Sequence, residues 1–145
     1  MAMHLIKLCV GCDSVKDLRE WIRERLQDRK KRGLPLEHIH TTRMVPKRAD
    51  ELVAGGSLYW VIRGQIACRQ RLVAIRPFTD GQGIGRCHLV LEPTVAPVEP
   101  RPCRPFQGWR YLEHRHAPGD LARTSGDLAA MPEDMRRTLA ELGLL

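Results

Sequence analysis

A chain of 145 residues that is 43% apolar and 28% charged has the size and composition of one folded domain, residues 1–145, which excludes wholesale disorder and a second independent domain. No apolar run approaches the roughly 20 residues of a membrane-spanning helix, so no membrane partner is expected. The net charge of +7 is uneven: residues 1–28 balance five basic against five acidic side chains, residues 29–110 carry fifteen against six, and residues 111–145 four against six.

The first element is a mostly buried strand from His4 to Val10, stopped by Gly11. The chain thus begins on a strand rather than a secretory leader. Together with five cysteines scattered outside any disulfide framework, this predicts a reducing compartment, the cytoplasm. Ser14 is a helix N-cap with Asp17 three residues on, and Val15, Leu18, Ile22 and Leu26 follow at helical spacing with Trp21 and Arg25 beside them. Arg29, Lys30, Lys31 and Arg32 complement the negative end of the helix dipole, and Gly33 and Pro35 stop the helix.

Ile39 to Met44 reads as a short strand, and Pro46 to Ala54 as a short helix ending at Gly55 and Gly56. Ser57 to Ile62 is an apolar strand, Arg63-Gly64 a hairpin turn, and Gln65 to Arg76 a long returning strand. A glycine-punctuated loop from Asp80 to Gly85 precedes a strand from Arg86 to Glu92, which completes a meander of antiparallel strands. Five prolines between Pro93 and Pro105 exclude a helix or an inner strand and predict an extended surface connection. Phe106 to Leu112 is an aromatic segment. Met131 to Leu142, with Pro132, Glu133 and Asp134 in its first turn, is a final amphipathic helix. The order of elements predicts an α+β fold in which a twisted or barrel-like sheet is flanked by helices.

Cys9 and Cys12 have the spacing of a metal knuckle, and His38 with His40 or His114 with His116 would be the second pair of ligands. No spacing known for such sites links the pairs, so the expectation is no metal and no cofactor, the cysteines being thiols. Gly81, Gly83 and Gly85 resemble half a dinucleotide loop, but they join two strands, so a hairpin loop is expected. There is neither a P-loop nor a G-x-S-x-G elbow.

Basic residues interleaved with aromatics carry the functional expectation. Arg43, Lys47 and Arg48 lie before and on the short helix, Arg63, Arg69 and Arg71 on or near the central strands, and Arg101, Arg104 and Arg110 around the proline-rich connection. Nucleic-acid binding needs cations for phosphate and flat faces on which unpaired bases stack, and Tyr59, Trp60, Trp109 and Tyr111 are the candidate faces. Nineteen of the 24 basic residues are arginine, the better phosphate fork. The alternatives are a GC-rich genome as the source of the arginines, and core positions for Trp60 and one of Trp109 or Tyr111.

The run from Leu5 to Val15, Leu-Ile-Lys-Leu-Cys-Val-Gly-Cys-Asp-Ser-Val, together with Phe106-Gln-Gly-Trp-Arg-Tyr-Leu112, resembles an uncharacterised bacterial family, domain of unknown function 1489, to which no activity is attached. Thr41-Thr-Arg-Met-Val-Pro-Lys-Arg48, the short helix, and Gly55-Gly-Ser-Leu-Tyr-Trp-Val-Ile62 with the strands after them resemble the PUA-like group, which includes the PUA, ASCH and EVE domains. Gly56-Ser57 stands where that group commonly has Gly-Asp. The resemblance implies a mixed, mainly antiparallel β pseudo-barrel flanked by helices, with a cleft for RNA or a modified base. A non-catalytic binding module is the leading expectation, with Arg43, Lys47, Arg48, Arg63, Arg69, Arg71 and Arg110 on phosphate and Trp60 or Trp109 stacked on a base. Similarity to ASCH amidohydrolases of modified nucleosides implies the rival, an enzyme using Lys47, Glu92 and Thr41 or Thr42, the lysine activated by Arg43 and Arg48. A protein-interaction module docking through Pro93 to Pro105 is the third expectation.

Overall fold

The structure is a computed structural model that describes residues 2–121 together with Pro132, Glu133, Met135 and Arg137. In chain order it contains β1 (Met3–Leu8), α1 (Val15–Lys31), β2 (His38–Thr42), α2 (Ala49–Val53), β3 (Ser57–Ile62), β4 (Gln65–Thr79), β5 (Gly85–Leu91), β6 (Ala96–Pro102) and β7 (Trp109–Glu113), and a 3₁₀ turn at His114–His116. The predicted C-terminal helix falls almost wholly outside the described residues, although Glu133, Met135 and Arg137 are helical.

The helix α1 forms where its capping chemistry puts it. Ser14 Oγ accepts from the Asp17 amide at 3.1 Å. At the other end Gly33 takes φ +69°, Leu34 N donates to Arg29 O and Gly33 N to Lys30 O, which is a Schellman close that only a residue tolerant of positive φ allows. Val15, Leu18 and Ile22 are its buried stripe.

Seven strands form one sheet in the order β2-β5-β4-β3-β1-β7, with β6 paired to β4 off that path. All the pairings are antiparallel except β1 with β3, which run parallel. The β1-to-β3 connection passes through α1, β2 and α2, the long crossover that parallel neighbours require. The fifteen residues of β4 organise the sheet. Its first half lies between β3 and β6, and its second half continues along β5. Arg63 and Gly64, both at positive φ (50° and 76°), make the tight primed turn between β3 and β4.

Alternation divides the sheet side chains between two cores. One holds Leu5, Leu58, Trp60, Cys68, Leu72 and Leu89 under α1 and α2, and the other holds Ile6, Tyr59, Val61, Ile66 and Val98. The fold is thus the expected mixed, mainly antiparallel α+β arrangement, and the expected pseudo-barrel takes the form of an open sheet: among the described residues β2 pairs only with β5 and β7 only with β1. The loop after β2 stands in the gap instead. Trp109 Nε1 donates to Met44 O at 3.0 Å and the Arg48 amide to Tyr111 Oη at 3.1 Å. This loop contains Pro46 and docks through side chains, which leaves no backbone ladder to close the ring.

The proline-rich connection is also more ordered than expected. Residues Ala96–Pro102 form β6, an edge strand that, among the described residues, bridges other backbone on its outer side only at Val98–Asp120. Prolines are tolerated there because an edge strand has a side on which no N–H is needed.

Candidate ligand-binding site

A cleft of about 370 Å³ opens at the Ser57 end of β3, and it contains none of the motifs a sequence scan looks for. Its wall is made by His4, Tyr59, Arg69, Glu99, His114 and the turn from Ala117 to Asp120. The ladder explains the gathering: His4 is opposite Leu112 in β7, Tyr59 opposite Arg69 in β4, and Arg69 opposite Ala96 in β6. Three strand pairings and the 3₁₀ turn therefore bring residues more than a hundred positions apart into one place.

Beneath the cleft Ser57, His4, Arg69 and Asp120 form one bonded layer. The buried Ser57 amide donates to His4 Nδ1 at 3.0 Å, and His4 Nε2 lies 2.9 Å from His114 Nδ1. Arg69 forks onto Asp120 with two bonds of 2.7 Å and gives a third, at 2.8 Å, to Ser57 Oγ. The bonds to Asp120 raise the Arg69 pKa and hold the guanidinium charged. Burial, followed by the neighbouring His114 ring and Arg69 charge, pulls His4 down to about 4, so His4 is neutral at physiological pH. Burial also raises the Tyr59 phenol. Ser57 is not a nucleophile paired with a base: its hydroxyl is held by Arg69, and His4 bonds its backbone nitrogen.

The residues expected to form one basic surface divide between the two faces of the sheet. Arg69, Arg71 and Arg110 are on the Tyr59 face, Arg69 and Arg71 opposite Tyr59 and Ser57 and Arg110 opposite Ile6. Arg110 stacks over Phe106 at 4.8 Å and Arg71 meets Glu92 at 3.5 Å. Arg43, Lys47 and Arg48 belong to the loop docked on the Trp109 face, where Arg48 pairs with Glu51 and lies over the Tyr111 ring. Arg63 stands apart at the hairpin, 3.7 Å from Asp13.

The expected stacking rings require a correction. Trp60 is 1% exposed and Trp109 9%, and both belong to the α1-side core, so no base can lie on either. Trp60 Nε1 donates to Gln70 Oε1 at 2.9 Å, and Gln70 Nε2 in turn reaches His38 Nδ1 and Glu92 O. The accessible rings are Trp21, 38% exposed with Arg25 at 4.6 Å over its face, and Tyr111, 37% exposed. Trp21 escaped the expectation because it sat beside a helix stripe that accounted for it.

The enzymatic set shares no hydrogen bond or ion pair. Thr42 Oγ1 closes its own turn by donating to Met44 O at 3.1 Å, Glu92 is engaged by Arg71, and no hydrogen bond or ion pair joins Lys47 to Glu92. Among the described residues no three His, Cys, Asp or Glu side chains are placed to hold a metal ion. His4 is bonded to His114, His38 and His40 lie on β2, and burial raises the Cys9 thiol and keeps it protonated. Among the described residues no helix is long and apolar enough to cross a membrane.

One signal of the cleft was legible. His4 occupies an inward position of an apolar strand, and a buried polar side chain implies a partner. Nothing in the sequence pointed to His114 as that partner, or to Glu99 and Asp120 as its neighbours.

No curated protein and no solved structure matches this chain. Residues 5–145 match the family described as Protein of unknown function (DUF1489), and the chain belongs to that family.

Proposed function

We propose that the protein binds RNA or a modified base, with the base in the His4–His114 cleft and phosphate on the cations of the same sheet face. One observation carries the reading. Ser57, His4, Arg69 and Asp120 bond one another into an inner layer of the cleft, while Glu99 and His114 face the opening with hydrogen-bonding capacity unspent among the described residues. Such a layer holds the outer groups in place before a ligand arrives, which reduces the ordering cost of binding. The half-exposed Arg71 side chain and Arg110 extend the face with positive charge. The order of elements from residue 41 onward supports a PUA-like kinship in an open-sheet form. The enzymatic expectation has less support, since Lys47, Thr42 and Glu92 share no hydrogen bond or ion pair.

Fluorescence anisotropy of a labelled single-stranded RNA, titrated at several salt concentrations, tests the reading. Affinity should fall by about 0.7 powers of salt for each phosphate contact. Arg71→Ala and Arg110→Ala should each weaken binding and lower that slope by about one contact, with unchanged thermal melting. Affinity that is undetectable, or indifferent to salt and to both substitutions, would refute it.

A further inference from the structure

We infer that the cleft selects guanine over the other three bases, an inference that rests on reading the cleft as a base-binding site. It follows from the direction of one hydrogen-bond chain. The Ser57 amide can only donate, and it donates to His4 Nδ1. That nitrogen must carry a lone pair, so the single ring proton of neutral His4 is on Nε2. From there it is given to His114 Nδ1, 2.9 Å away, which is in turn an acceptor. The remaining nitrogen of His114, Nε2, then holds that ring's proton. A doubly protonated His114 would set its Nδ1–H against the Nε2–H of His4 and break the chain. A backbone amide buried with Ser57 thereby dictates that His114, on the cleft wall, presents a donor and not an acceptor.

Glu99 imposes the opposite requirement. Its amide donates to Gly119 O at 2.9 Å, which pins β6 to the cleft turn, and its Oε1 lies 3.9 Å from where a Cβ on Gly119 would stand. An ionised carboxylate is acceptor-only, with two oxygens to satisfy. Of the cleft's side chains, His114 thus offers a donor and Glu99 a pair of acceptors, while Arg69 and Asp120 are bonded to each other. Tyr59, whose hydroxyl can donate or accept, does not discriminate.

The Watson–Crick edge of guanine has the complementary set: a carbonyl oxygen for the His114 proton, then a ring N–H and an amino N–H that meet both carboxylate oxygens together. Uracil has one N–H between two carbonyls and turns an oxygen toward the carboxylate. Cytosine turns a ring nitrogen lone pair toward one of the two walls, and adenine has one amino group for two oxygens. Only guanine satisfies all three positions, and a two-pronged contact of this kind is the usual source of base discrimination.

Calorimetric titration of the full chain with GMP, AMP, UMP and CMP tests this, since the common phosphate cancels between ligands. GMP should bind at least tenfold more tightly than the other three. Glu99→Gln, which replaces an acceptor with a donor at a partly exposed position, should abolish that preference. Nitrogen-15 spectra should show His114 protonated at Nε2 and bare at Nδ1 at neutral pH. Equal affinities for the four nucleotides, with the His114 signals still shifting on binding, would overturn guanine selection and leave the base-binding reading standing. The opposite His114 tautomer would do the same. Failure of all four nucleotides to bind or to shift His114 would overturn both.

Discussion

At Gly56 a single missing methyl group decides whether β3 can leave α2 where it does. A Cβ there would stand 2.2 Å from Met3 O and 2.4 Å from Leu52 O, both backbone atoms. The Gly56 amide also donates to Leu52 O at 2.8 Å and its carbonyl accepts from Leu72 N at 3.0 Å, so the position cannot shift without breaking both bonds. Gly56→Ala is expected to destabilise the protein by about 3 kcal/mol, at the upper end of overpacking costs, read as a lowered denaturation midpoint. Gly55→Ala is the informative comparison, because its φ of +127° strains the backbone while a Cβ there meets nothing. That both glycines ended the short helix was legible from the residues. That Gly56 abuts the β1 backbone was not, because Met3 is 53 residues away and reaches it only through the parallel pairing of β1 with β3.

Among the elements, α1 announces itself most fully, and its start can be tested without touching the core. Ser14→Ala removes the bond to the Asp17 amide and should cost about 1 kcal/mol, seen as a fall in melting temperature with little change in the native circular dichroism. Full stability after the substitution would mean that water replaces the cap at no cost. The β3–β4 hairpin was equally legible, because the tight turn needs two positive-φ residues and Gly64 supplies the second at no strain. For β6 the local signals went part of the way: its prolines excluded an inner strand and predicted an extended connection, and the segment is an edge strand whose inner side joins the β4 ladder. The boundaries of α2 also moved, from an expected start at Pro46 to Ala49, because the preceding residues dock on Trp109 and Tyr111 instead of winding a first turn.

Across the molecule, three neutral histidines couple the fold to pH. His4, His38 and His40 are each lowered to about 4, first by burial, with His114 and Arg69 adding to it at His4, Arg25 at His38, and Lys7 at His40. An unfolded histidine takes up its proton near pH 6.5. Above that value neither state is protonated and the stability is fully present. Between about pH 6.5 and 4 the unfolded chain binds protons that the folded one refuses, so stability falls as pH falls. Each such group adds about 1.4 kcal/mol per pH unit to the slope where it is protonated only on unfolding. Urea denaturation at pH 7, 5.5 and 4.5 should show this decline, and a flat profile would mean the rings are solvated. Among the described residues the buried Nε2 atoms of His38 and His40 have no hydrogen-bond partner, so a proton on either ring would add charge with no acceptor there to receive it.

The sequence by itself determined the α+β class, the capped first helix, the hairpin and the surplus of positive charge, because each depends on residues within one or two turns of one another. Tertiary structure alone decided that the sheet stays open, that Trp60 and Trp109 are interior, that the cations divide between two faces, and that His4 meets His114. Those outcomes depend on strand register and on parallel or antiparallel choice. Local sequence encodes neither, since a shift of one residue would turn every side chain of a strand to the other face.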